Sequence, residues 1–158
     1  MTYKSKRTLT SMTTGLLLLI GYFIYATGNQ APAAEDLRGW AILMLSFIGI
    51  SVVASIVIQI LFHILFSVGI AIGQEGTDDK EVERMISSAM VEDEMDKAIS
   101  LRSSHVGYIC AGVGFVAGLA GLALNLLPVL VLHIMFVFFA VGSLVEGGIS
   151  IYLYERGV

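Results

Sequence analysis

Hydrophobic positions in this chain gather into long unbroken runs, and short polar stretches separate them. No Asp, Glu, Lys or Arg falls between Leu9 and Gly28 or between Gly39 and Gly73, and between Val106 and Tyr154 the only one is Glu146. Uncharged runs of about 20 residues match a hydrocarbon core about 30 Å thick, crossed at about 1.5 Å per residue. The pattern predicts four spans, at about 9–28, 39–62, 105–125 and 129–152. Each should be helical, because backbone polar groups in lipid must bond within their own segment. The second run continues to Gly73, longer than a bilayer needs, which predicts a helix that leaves the membrane or lies along its surface. Only Leu126, Leu127 and Pro128 separate the third span from the fourth, so these two should form a tight hairpin.

The polar stretches set the orientation. Lys4, Lys6 and Arg7 precede the first span, Lys80, Arg84, Lys97 and Arg102 lie between the second and third, and Arg156 follows the fourth. Those eight basic residues share one side, against Arg38 alone on the other. Basic residues concentrate on the cytoplasmic side of membrane proteins, so both termini and the 74–104 segment are expected there. Tyr22, Tyr25 and Trp40 then fall at the outer interface, and Tyr108, Tyr152 and Tyr154 at the inner one. A competing reading takes the basic start and first apolar run as a signal peptide cut near Ala31–Ala34; the run is long for one.

Residues 74–104 hold 9 of the 13 acidic residues. Asp78 followed by Glu81 resembles a capping box, opening a helix with Val82, Met85, Ile86 and Ala89 on one face. A second helical stretch is expected around Met95, Ala98, Ile99 and Arg102, with Asp93 and Lys97 in the favourable order for an ion pair. The segment should therefore be folded, a helical cytoplasmic unit between two hairpins.

Composition changes this picture little. Of 158 residues 56% are hydrophobic and 14% charged, where about a quarter charged is usual for a soluble domain. The net charge of −4 argues against a nucleic-acid partner. Cys110 is the only cysteine, which excludes an internal disulfide and a cysteine metal cluster.

Few residues offer chemistry. Ser51, Ser55, Gln59, His63 and Ser67 recur every four residues along one ridge of span two, as a polar seam or as ordinary close packing. Gly107, Ala111, Gly114, Gly118, Gly121 and Asn125 form a small-residue seam on span three, with Ala140, Ser143, Gly147 and Ser150 as its expected match on span four. Glu146 stands out, since a carboxylate inside a span is costly unless it faces protein or water. Counted from Val129 it lies ~26 Å in, and Gln59 lies ~30 Å from Gly39, so contact between them is geometrically open. Glu146, Gln59, Ser55 and His63 are the candidate intramembrane polar site, binding a proton or a cation; the plainer reading is a hydrated or Arg102-paired carboxylate. His133 stands ~20 Å along the axis from Glu146 and cannot reach it. Glu92, Asp93, Glu94 and Asp96, with Arg102, are the candidate cytoplasmic docking group, or simply a solvated face. Their spacing is not that of a calcium loop. No nucleophile elbow, phosphate loop or paired catalytic carboxylates occur, so neither an enzyme nor a cofactor is expected.

Residues 91–108 read VEDEMDKAISLRSSHVGY and residues 152–157 read YLYERG. The first resembles the DERD-x-x-I-type motif of a group of uncharacterised bacterial four-span membrane proteins, where it also precedes the third span. The second is similar to that group's ending, an aromatic stretch followed by Arg-Arg-Gly. Met95 and Glu155 stand where the group usually has Arg. The resemblance covers the second half well and the first half in layout only. It implies the four-span fold, and Asp93, Glu94, Asp96, Ile99 and Arg102 as motif positions, with no activity attached. Arg102 would pair with Asp96 or with Glu146.

The expectation is an all-α integral membrane protein of the cell membrane, one domain of four transmembrane helices in two hairpins. Its leading role would be non-enzymatic, docking a cytoplasmic protein or regulating through the acidic segment. The alternative is a small proton- or cation-transporting subunit built on Glu146, for which four spans would call for a homodimer.

Overall fold

The structure is a computed structural model describing residues 3–73 and 94–156. They form four helices: α1 (Tyr3–Ala26), α2 (Leu37–Gly73), α3 (Glu94–Ala123) and α4 (Pro128–Arg156). All four contain stretches long and apolar enough to cross a membrane. The described residues contain no strand.

The ends of the helices follow from local chemistry. Asp36 caps α2: its Oδ1 accepts from the Gly39 N–H at 2.9 Å, satisfying a donor that the helix leaves open. Trp40 ties the preceding loop down, donating from Nε1 to the Ala33 carbonyl at 3.0 Å. At the end of α3 the Leu126 N–H reaches back to the Gly121 carbonyl (2.9 Å) and the Asn125 N–H to Leu122 (3.0 Å). That is a Schellman cap, and Asn125 takes the left-handed conformation it requires, at φ 59°. Pro128 then opens α4, at the first helical position, where its missing N–H costs nothing.

Two boundaries differ from the sequence expectation. α1 begins near the N-terminus and not at Leu9, because Ser5, Lys6 and Arg7 continue the helix below the apolar run. α3 begins at Glu94, eleven residues before the expected span, so the end of the acidic segment and the third span are one helix of 30 residues. α2 runs 37 residues, about 55 Å, as the overlong apolar run suggested.

α4 is the centre of the bundle, touching α3, α1 and α2. The α3–α4 pair is antiparallel and close: Gly121 lies against Val131, Gly118 against Met135, Gly114 against Phe138 and Gly107 against Glu146. α1 runs antiparallel to α4, from Ser5 beside Glu155 through Met12 against Gly147 to Tyr22 against Phe136. The end of the bundle holding both chain termini is called here the terminal end, and the other the loop end.

The expected small-on-small seam between spans three and four is half right. α3 does present Gly107, Gly114, Gly118 and Gly121 to α4, all buried. The facing residues are large, however: Val131, Met135, Phe138 and Glu146, with Gly142 the one small exception. Gly147 faces Met12 of α1, while Ala140 and Ser143 line a cleft between α1, α2 and α4. A helix surrounded by three neighbours must divide its faces among them, and glycine hollows on α3 receive bulk best from the opposite side.

Candidate functional site

The polar residues of the terminal end fall into separate pairs. Glu146 projects from α4 into the hollow left by Gly107. Its Oε1 accepts a 2.7 Å hydrogen bond from the Ser104 hydroxyl, one turn below Gly107 on α3. A methyl group placed on Gly107 would come within 2.7 Å of Glu146 Oε2 and 3.3 Å of its Cβ, so the missing side chain makes room for the carboxylate. The carboxylate is half-buried.

Gln59 has a different partner. Arg7 Nη2 on α1 donates to Gln59 Oε1 on α2 at 2.8 Å, which ties those two helices near the terminal end. Ser5 donates to Glu155 Oε1 at 3.1 Å, linking α1 to the end of α4. In place of the Gln59–Glu146 contact that depth left open, the two residues stand in two pairs on different helices. The cause is the helix order: α4 presents Glu146 toward α3, whereas Gln59 faces α1. Arg102 is exposed, and it is Ser104 that meets Glu146.

Ser55 and Ser51 line the cleft between α1, α2 and α4, about 380 Å³ in volume and mostly apolar, with Gly15, Phe47, Phe136 and Ser143 among its other walls. The candidate intramembrane set is therefore spread over three places: Glu146 against α3, Gln59 against α1, and Ser55 in the cleft. The side chain of His63 lies outside the described residues.

In the candidate docking group, Glu92 and Asp93 lie outside the described residues, as does the expected helix opened by Asp78 and Glu81. Glu94 is exposed and pairs with Lys97 at 2.9 Å, three positions on; the expected Asp93–Lys97 pair lies outside the described residues. Asp96 departs from a solvated face. It is 6% exposed, on one buried stripe with Ile99 and Ser103 that continues into Gly107. Its spacing of three and four from those residues puts all of them on the side of α3 that packs.

A cluster at the loop end was not legible from spacing. Tyr22 is fully buried, with its ring 4.4 Å from Phe136 and 5.4 Å from Phe47 between centroids. Its hydroxyl has no hydrogen-bond partner among the described residues. His133 joins the same cluster, edge-on to Trp40 at 4.6 Å, with Nδ1 held 2.8 Å from the Val129 carbonyl. Sequence reasoning placed Tyr22 and Trp40 at an interface; the structure buries both, at 0% and 7% exposure, and packs His133 against them. The only available sequence signal was that aromatics on three spans fall at one depth.

Among the described residues no three His, Cys, Asp or Glu side chains gather as metal ligands. No protein-family model, curated protein or solved structure matches the chain.

Proposed function

We propose that this chain is a multi-pass protein of the cell membrane, folded as two antiparallel hairpins with both termini and the acidic segment cytoplasmic. Its role is non-enzymatic: the acidic segment docks a cytoplasmic protein and passes that event to the bundle. Membrane residence is supported by the outward faces, where Leu17, Ile24, Leu45, Leu65 and Val116 are all more than 60% exposed. Apolar surface so extensive is a liability in water and ordinary in lipid.

The observation that carries the docking role is the continuity of α3. One helix runs from Glu94 to Ala123, so the end of the acidic segment cannot shift without moving Ser104 and Gly107, and with them the contact to Glu146. An acidic segment joined by a floppy linker would transmit nothing. The resemblance to four-span proteins carrying a charged motif before the third span fits the same reading.

Photo-cross-linking in native membranes tests it. A photoreactive residue at Leu101, which is 74% exposed, should give one discrete protein adduct, lost when Glu92, Asp93 and Glu94 are neutralised together. An absent adduct, or one indifferent to those charges, would end the docking reading.

A second reading rests on Glu146 itself, a carboxylate in an apolar helix whose second oxygen lies over Gly107. In that reading the pair with Ser104 holds a proton or cation in transit. Flux in liposomes that survives Glu146→Gln unchanged rules it out.

A further inference from the structure

The cleft between α1, α2 and α4 is walled by apolar side chains along most of its length, and Ser51 and Ser55 mark its α2 side. It runs toward the terminal end, where Gln59 follows Ser55 by four residues, ~6 Å further along the same ridge. There Arg7 stands. Its guanidinium has five N–H donors and gives one to Gln59. Among the described residues no carboxylate forms an ion pair with it: Glu155 is engaged by Ser5, and Glu94 by Lys97. Lys6 beside it is exposed and adds to the positive field. The apolar slot thus stops at Ser55 and Ile56, one helical turn short of Gln59 and the half-buried Arg7 bonded to it, whose remaining donors form a planar fork suited to phosphate.

We propose that this cleft holds an acyl chain of one anionic phospholipid of the cytoplasmic leaflet, with its phosphate on Arg7. The order of chemistry along the site, apolar slot and then cation, is the order of tail and headgroup in a leaflet. Anionic lipids are attracted to basic sites between transmembrane helices on the cytoplasmic side. A second copy of the chain, pressing an apolar helix into the slot, would leave Arg7 without a counter-charge. Gln59 acts as a positioning residue, holding the guanidinium about one helical turn beyond the slot, the distance a glycerol ester would span between tail and phosphate. The site rests on the membrane orientation proposed above and is independent of any docking by the acidic segment.

Native mass spectrometry of the detergent-purified full chain tests this, with equal dioleoyl phosphatidylglycerol and dioleoyl phosphatidylcholine as probes. One phosphatidylglycerol should stay bound in preference to phosphatidylcholine. Arg7→Gln should cut that preference about fivefold, the factor equivalent to about 1 kcal/mol per basic residue at a membrane surface. Arg7→Lys should retain much of it, which separates lost charge from lost folding. Gly15→Leu should expel the tail: Gly15 lines the slot, and a Cβ there meets only Leu144, at 3.9 Å. Equal retention of both lipids, indifference to Arg7→Gln, or a lipid-free dimer would overturn the proposal. Failure of the orientation would show separately, as Lys6 and Arg7 positions labelled from outside intact cells.

Discussion

Ser104 and Glu146 stand 42 positions apart in sequence and join two helices through one 2.7 Å hydrogen bond, over a glycine that leaves them room. The pair meets because Gly107, one turn above Ser104, removes the side chain that would otherwise occupy the carboxylate's place. In an apolar surrounding a carboxylate needs such a donor, and here the neighbouring helix supplies it.

Ser104→Ala and Glu146→Ala should therefore be coupled in a double-mutant cycle of thermal unfolding in detergent, since each removes one partner of the bond. Hydrogen bonds between transmembrane helices average about 0.6 kcal/mol, with a maximum of about 1.7. A coupling in that range is expected, and a coupling of zero would mean that the two side chains do not meet.

The glycines of α3 should differ sharply in tolerance. Gly114→Ala drives a methyl into Phe138 at its Cβ, close to the backbone and unable to swing away. Overpacking of that kind typically costs about 1–3 kcal/mol. Gly112→Ala meets nothing within 4 Å and gains helix propensity, so it should be neutral or stabilising. Unfolding temperatures of the two variants measured side by side decide this.

Tyr22→Phe should not destabilise the protein. The ring packs against Phe136 and Phe47, while the hydroxyl is buried with no partner among the described residues. An unsatisfied buried hydroxyl costs roughly 1–3 kcal/mol, so its removal should be neutral or raise the unfolding temperature. A fall of several degrees would reveal a hydrogen bond to that oxygen.

Orientation is open to thiol labelling in a Cys110→Ser background. Cysteines placed at Glu94 or Glu155 should react with a membrane-impermeant maleimide only in inside-out vesicles. One placed at Glu35, in the loop between α1 and α2, should react in intact cells. The reverse pattern would invert the positive-inside assignment.

The four apolar helices were legible because their signal is local and strong: runs of about 20 uncharged apolar residues, and a break at Asn125 to Pro128. Their ends were less so. Ser5, Lys6 and Arg7 continue α1 with no hydropathy signal to set them apart from a loop, and the helical stretch expected around Met95 to Arg102 runs unbroken into the third span, which side-chain spacing does not reveal. Glu146 was identifiable as unusual from its surroundings alone, and so was Gln59.

Depth along an axis can be counted from a sequence, and it placed Gln59 and Glu146 at nearly the same level. Rotation about the axis and the choice of neighbour cannot be counted that way. An almost uniformly apolar helix has no polar face to announce which side packs, since lipid and protein interior are alike to Leu and Val. Only the tertiary arrangement, with α4 shared among three neighbours, turned Glu146 toward Ser104, gave Gln59 to Arg7 and set His133 between Trp40 and Tyr22. The sequence by itself determined how many long apolar helices the described residues form, how long their apolar cores run and which residues are costly inside them; packing decided which partner meets that cost.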